Sequence, residues 1–327
     1  MPPTTALLFQ THFFDRWAAR AFDRLRTACP PHYRPTVLIH LAPGAPVPPR
    51  LAAVPHHIVR TPEMRHAAYP AKSGGEAWTL WAGGHTDLIA LHYWRAQPQH
   101  ARYWVVEYDV RYSGDWRRFL SAFEDDAADL LAPGLIPRAC DPDWYNWPSL
   151  SAPLPVPESR QWRAFLPIYR ASAAMMRVVD QAYRAGWGGH CEATWPTLGM
   201  EAGLTVLDLG GEGPMTPGRY RGRHYTNTPL QVNLAPGTLV FKPPLYRMGR
   251  RPDMLWHPVK PFFWRAEVKE GLRDIRRRAG IVLRGMLAWW RGRQTPMPGP
   301  MPPPLATPLA APLAARAPDP GRDAPTA

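Results

Sequence analysis

A chain of 327 residues with 45% hydrophobic and 11% aromatic residues can bury a full core, which excludes a protein disordered throughout. Its formal net charge of +13 calls for an anionic partner, whether nucleic acid, phospholipid or a phosphorylated substrate. The three cysteines, Cys29, Cys140 and Cys191, lack the paired spacing of a zinc site or a disulfide framework, and no stretch approaches the roughly 18 apolar residues of a spanning helix.

Ala6 to Phe9 is a short apolar run, too short for the apolar core of a signal peptide, so the sequence reads as cytoplasmic. Apolar residues at 17, 18, 21, 22 and 25 then form a helical stripe, and Val37 to Leu41 is a second apolar run. Strand, helix, strand in that order predicts a βαβ opening. Ile58 and Val59 predict another short strand, and Leu88 to Trp94 a helix. Tyr103 to Val106 is the continuous apolar run of a buried parallel strand. Asp115 to Phe123 reads as a helix, Leu130 and Leu131 as a brief strand, and 139–160, rich in Pro, Trp and Asp, as a loop able to fold over a substrate. A second amphipathic helix is predicted from Ile168 to Tyr183, with Ala171, Met175, Val178, Val179 and Ala182 on one face and Gly186 at its end. Leu204 to Leu209 is the last candidate strand, and 210–260 has little period. These elements predict an α/β sheet with ligands at the carboxyl ends of its strands.

From Trp264 the apolar residues fall at 264, 268, 272, 275, 279, 282 and 286, ending at Trp289-Trp290, with Arg and Lys on the remaining face. This pattern predicts a basic amphipathic helix over 264–294 for an anionic membrane surface; the alternative is a helix docked on the protein's own core. The run of Pro, Ala, Leu and Met after Thr295 predicts a disordered tail over 295–327. Nucleic acid is the less favoured partner, because zinc-finger spacing and an RNA-binding aromatic signature are both missing from the sequence.

The most informative chemistry is Glu107-Tyr108-Asp109 at the end of an apolar strand, where acids spaced i, i+2 point the same way from the pleat. Such a pair suits a hard divalent ion that bridges to diphosphate oxygens. The segment from Tyr103 to Trp116 resembles the acid-x-acid region of GT-A-type glycosyltransferases of an uncharacterised bacterial kind, and the resemblance extends over residues 6–260. It implies a GT-A-like, Rossmann-type mixed sheet flanked by helices over 1–263, ahead of the basic helix and the tail. The first acid is Glu where the family's motif has Asp.

The resemblance also implies a set of roles. Glu107, Asp109 and a late histidine, His257, would hold Mn2+ or Mg2+, and Glu192 would deprotonate the acceptor of an inverting enzyme. His12, Tyr93, Glu107, Asp109, Gly188, Gly189 and Lys260 would bind a nucleotide-sugar donor. Trp116, Trp144, Trp147 and Trp187 are candidates to stack on sugar rings. The implied reaction transfers a sugar from a nucleotide-diphosphate donor to the hydroxyl of a glycan or lipid-linked acceptor, on the cytoplasmic face of a membrane. Two alternatives stay open: a transferase-like scaffold that only binds sugar or phospholipid, and a metal-dependent phosphoester hydrolase.

Overall fold

The computed structural model describes residues 4–65, 68–73, 78–80, 83–226, 237–241 and 244–260. The predicted basic helix, 264–294, and the tail, 295–327, lie outside the described residues. The opening unit is β1 (Thr5–Thr11), α1 (Arg16–Ala28) and β2 (Tyr33–Leu41). Asp15 caps α1 by accepting from the Trp17 and Ala18 N–H groups at 2.9 Å each, and Ala18, Phe22 and Leu25 form its buried stripe. Then follow β3 (His56–Arg60), α2 (Thr61–Met64), α3 (Pro70–Ser73), α4 (Asp87–Ala96), β4 (Arg102–Glu107), β5 (Arg111–Tyr112) and α5 (Trp116–Ser121). The second half comprises β6 (Leu130–Ala132), β7 (Ile136–Pro137), β8 (Trp162–Arg163), β9 (Ile168–Ser172), α6 (Ala173–Arg184), α7 (Cys191–Glu201), β10 (Val206–Asp208) and β11 (Leu255–Trp256).

Seven strands form one mixed sheet in the order β10-β6-β9-β4-β1-β2-β3, parallel throughout except for β9. Side chains alternate across it. Ala6 and Leu8 enter a core with α4, α6 and α7, whereas Leu7 and Phe9 face a second core with α1 and α5. Both faces are covered, as near-continuous apolar strands require. No helix among the described residues is long and apolar enough to cross a membrane.

The main departure from the sequence reading lies at residue 168. Ile168 to Ser172 is not the first turn of a helix but β9, antiparallel to both β4 and β6. Residues 168–171 are all buried between those neighbours, so helical period is absent there, and the helix starts only where Ser172 accepts from the Met175 N–H at 3.0 Å. The strand order reverses around β1 and β4, and in an open α/β sheet the carboxyl ends at such a point border a crevice.

Candidate active site

That crevice is a cavity of about 1120 Å3. His12, just past β1, lines it together with Glu107 and Asp109 at the end of β4. The two acids do not converge by pleat alone. The strand ends at Glu107, and Asp109 follows in a tight turn closed by the Val110 N–H on the Glu107 carbonyl at 3.0 Å. Tyr108 steadies the turn: its N–H donates to the Gln10 carbonyl at 2.8 Å, and its ring meets His12 and Phe13 edge-on at 5.0 Å.

His257 arrives from far along the chain. The ribbon of β5 and β11 folds the late segment back on the acidic turn, and the Val259 N–H donates to the Asp109 carbonyl at 2.7 Å. The His257 Nδ1 lies 2.7 Å from the Val240 carbonyl and donates its proton there, which turns Nε2 toward the acids. Nε2 is 3.6 Å from Glu107 Oε2 and 3.5 Å from Asp109 Oδ1, and Lys260 Nζ is 3.8 Å from Asp109 Oδ2. Burial lowers the imidazole pKa, but Asp109 and Glu107 outweigh it and hold the ring at about 10. Burial pushes both carboxyls up. For Asp109 the facing imidazole and Lys260 outweigh it and pull the group below the usual range, while Glu107 stays raised.

Whether these residues suit a divalent ion is answered by their donor atoms. One atom each from Glu107, Asp109 and His257 lies within 4.8 Å of the others, and Asp109 Oδ1 is buried with no hydrogen-bond partner among the described residues. Two carboxylate oxygens and the His257 Nε2, which would give up its proton to an incoming cation, form an oxygen-rich set suited to Mn2+ or Mg2+.

Glu192 opens on the same cavity from the first turn of α7. Its Oε1 accepts from the Leu166 N–H at 3.2 Å, and only 13% of its side chain is exposed. Burial dominates and pushes the carboxyl up to about 7. Pro196 contributes to this placement. It has no N–H to give the Glu192 carbonyl one helical turn back, and that carbonyl instead accepts from Ala164 at 2.9 Å, tying α7 to the Phe165–Pro167 wall. His190, whose Nδ1 accepts from the Glu192 N–H at 3.3 Å, is pushed down to about 4 by burial and then Lys72, and so stays neutral.

His12, Glu107, Asp109, Glu192, His257 and Lys260 therefore share one cavity. Tyr93, Gly188 and Gly189 do not line it. Tyr93 is a buried core residue of α4, edge-on to His57 and stacked with His100. A Cβ on Gly189, where φ is +105°, would lie 2.2 Å from the Ser149 carbonyl oxygen, so the glycines let the 149–151 segment approach, and Ser151 pairs with Gly188. Trp144 and Trp147 pack on each other at 5.0 Å, Trp116 packs on Phe119, and Trp187 lies against the core, so none of the four lines the cavity. Tyr145, Asn146 and Phe241 line it instead. Tyr145 and Asn146 belong to the loop predicted to cover a substrate. Gly84 and Thr86 line it too, and the Gly83-Gly84 pair ahead of α4 was their only mark in the sequence.

Beneath this wall lies a buried ion pair that sequence reasoning missed. Lys72 Nζ is 3.2 Å from Asp87 Oδ1 and donates to the Gly84 and Gly189 carbonyls at 3.0 and 2.7 Å. Asp87 Oδ2 accepts from Tyr183 at 2.5 Å and Trp195 at 2.9 Å. Lys72→Met leaves that carboxylate buried without its cation, and urea denaturation is expected to register a loss of about 3–5 kcal/mol. A loss under about 1 kcal/mol would show that the pair does not hold the wall.

No family model matches the chain, and no curated protein matches it. Among solved structures it is similar to a glycosyltransferase involved in the glycosylation of the major capsid of PBCV-1, at 8% identity over 55% of this chain and 64% of that one, with a TM-score of 0.28. Mouse xyloside xylosyltransferase 1 in its apo form gives 11% identity over 64% of this chain and 87% of that one, with a TM-score of 0.32. The 2-C-methyl-D-erythritol 4-phosphate cytidylyltransferase from Thermus thermophilus gives 15% over 67% and 91%, with a TM-score of 0.33. The chain spans less than two thirds of the first of these, and all three likenesses are partial. The strand order, its single antiparallel member and the acidic turn at the reversal of that order make this a mixed, Rossmann-like α/β fold.

Proposed function

We propose that this protein is a glycosyltransferase that moves a sugar from a nucleoside-diphosphate donor to an acceptor hydroxyl with the aid of a divalent cation. One arrangement carries the reading: the three-residue ligand set and a buried carboxyl raised to about 7 open on the same cavity. Held by Glu107, Asp109 and His257, a divalent ion would neutralise the charge that develops on the diphosphate leaving group. Lys260, 39% exposed beside Asp109, adds a fixed positive charge for the phosphates. His12, whose pKa is lowered by burial and then by Lys260, stays neutral at pH 7 and adds no competing cation.

Glu192 acts on the other reactant. Its carboxylate takes the proton of the acceptor hydroxyl while that oxygen bonds to the anomeric carbon and the bond from carbon to phosphate oxygen breaks. The nucleoside diphosphate departs with the electron pair. The cavity exceeds the roughly 300–1,000 Å3 of a pocket for one small ligand, which leaves room for donor and acceptor together. On this reading the protein works in the cytoplasm, and segment 264–294 holds it at an anionic membrane surface that presents a glycan or lipid-linked acceptor.

Thermal melting with Mn2+ and a panel of nucleotide sugars tests the proposal. One donor is expected to raise the midpoint only with metal, by an amount equivalent to about 2.7 kcal/mol at a hundredfold excess over Kd, and His257→Ala is expected to remove the rise. No shift with any donor would sink the reading. Release of free sugar or phosphate with no transfer across an acceptor panel would favour the hydrolase instead.

A further inference from the structure

A second cavity, of about 550 Å3, shares no lining residue with the first. Arg24 of α1, Arg111 of β5, and Arg247 and Arg250 of the late segment converge on it with Ser113, and no acidic side chain lines it. Arg24, Arg247 and Arg250 are exposed and have no side-chain hydrogen bond or ion pair among the described residues. Arg111 is held rigidly. Its guanidinium lies 4.0 Å from the Trp17 ring centre, and Nη1 donates to the Tyr108 and Val110 carbonyls at 2.6 and 2.7 Å, which leaves its other nitrogens uncommitted. An adjoining cavity of about 480 Å3 shares Arg24, Arg111 and Ser113 and adds Arg117. The one acid lining it, Asp115, is spent on capping α5 through the Arg117 N–H at 2.8 Å.

We propose that this arginine groove is a binding site for a phosphate-bearing anion, separate from the cation site. Four guanidinium groups around one small volume repel each other, and a screening length of about 8 Å at physiological salt does not remove that repulsion within a single cavity. An anion in the groove relieves it. Guanidinium forks match phosphate oxygens in paired hydrogen bonds, and Arg111, with Nη1 committed to the backbone, keeps Nε and Nη2 for one such fork. Four arginines and a serine around the groove suit the oxygens of a phosphomonoester or diphosphate group. The two sites meet along the chain: Val259 lines the groove, and the next residue, Lys260, lines the large cavity. The proposal does not depend on the transferase reading.

Calorimetric titration of the full chain with inorganic pyrophosphate, in EDTA so that no divalent ion bridges the acids, tests it. Arg247→Ala/Arg250→Ala is expected to weaken binding at least about tenfold, while Arg50→Ala/Arg177→Ala, which removes the same charge elsewhere, leaves it unchanged. All four side chains are exposed, so the variants are expected to melt with the parent. Undiminished binding by Arg247→Ala/Arg250→Ala, or equal weakening in both double variants, would overturn the proposal. So would loss of binding in Lys260→Ala alone, which would assign the anion to the large cavity. Sedimentation with phosphatidylcholine vesicles containing about a fifth phosphatidylglycerol then identifies the source. Weaker sedimentation of Arg247→Ala/Arg250→Ala than of the parent identifies a lipid headgroup, and equal sedimentation identifies a soluble phosphate compound.

Discussion

Asp109→Asn is expected to abolish metal-dependent donor binding and to lower sugar transfer by at least about a thousandfold, with the fold intact. The position is 4% exposed, and its carboxylate faces His257 at 3.5 Å and Lys260 at 3.8 Å, so removing its charge removes the centre of the ligand set. The amide is nearly isosteric and leaves the packing alone. His257 loses the stronger of the two carboxylates that keep it protonated, and burial then favours the neutral ring, which still donates to the Val240 carbonyl. The cost in stability follows from linkage. The folded Asp109 pKa is depressed, so its contribution is present above the unfolded value near 3.9 and is lost as pH falls through the folded value. The variant therefore melts lower than the parent at neutral pH, and the gap closes in acid. Manganese-dependent melting and transfer assays on one preparation check both points; turnover equal to the parent's would eliminate the cation site.

Glu192→Gln is the second large effect, with kcat expected to fall by about 10²–10⁴ while donor binding persists. A base must be ionised, so transfer by the parent should rise with pH through about 7 and level off above it. The residual rate of the variant should lack that limb. Stability moves the other way. A carboxyl whose folded pKa is raised favours folding below its unfolded pKa, near 4.3, and that contribution is lost as pH rises through 7. Glu192→Gln should consequently melt above the parent at pH 8 and match it below pH 4. A variant that keeps the parent's pH limb would show that another group takes the proton; one that loses donor binding together with turnover would give Glu192 a positioning role.

Much of the sheet was legible locally. Ala6 to Phe9, the stripe over 17–25, Val37 to Leu41 and Tyr103 to Val106 were assigned by period and continuity of apolar residues, and they form β1, α1, β2 and β4. Periodicity records how one element meets its own neighbours, and for these elements burial decides the period. It failed at 168–171 because a strand buried on both faces between two others has no alternation to read, and the helix behind it supplied a pattern that ran on too far.

The candidate site divides along the same line. The sequence by itself marked two acids at the end of an apolar strand, and the resemblance added an acid opening a helix and a late histidine three residues before a lysine, in that order along the chain. Tertiary structure decided which of these groups meet. The β5–β11 ribbon brings His257 to Asp109, and the Val240 carbonyl fixes which imidazole nitrogen faces the acids. Close packing set Gly188, Gly189 and Tyr93 outside the lining of the large cavity, with contacts to Ser149, Ala71, His57 and His100. It also buried Lys72 against Asp87 and gathered arginines from α1, β5 and the late segment into one groove. Residue type sets what a group can do and is written locally; burial, the facing charge and the partner atom come from residues distant in the chain, and only the folded structure brings them together.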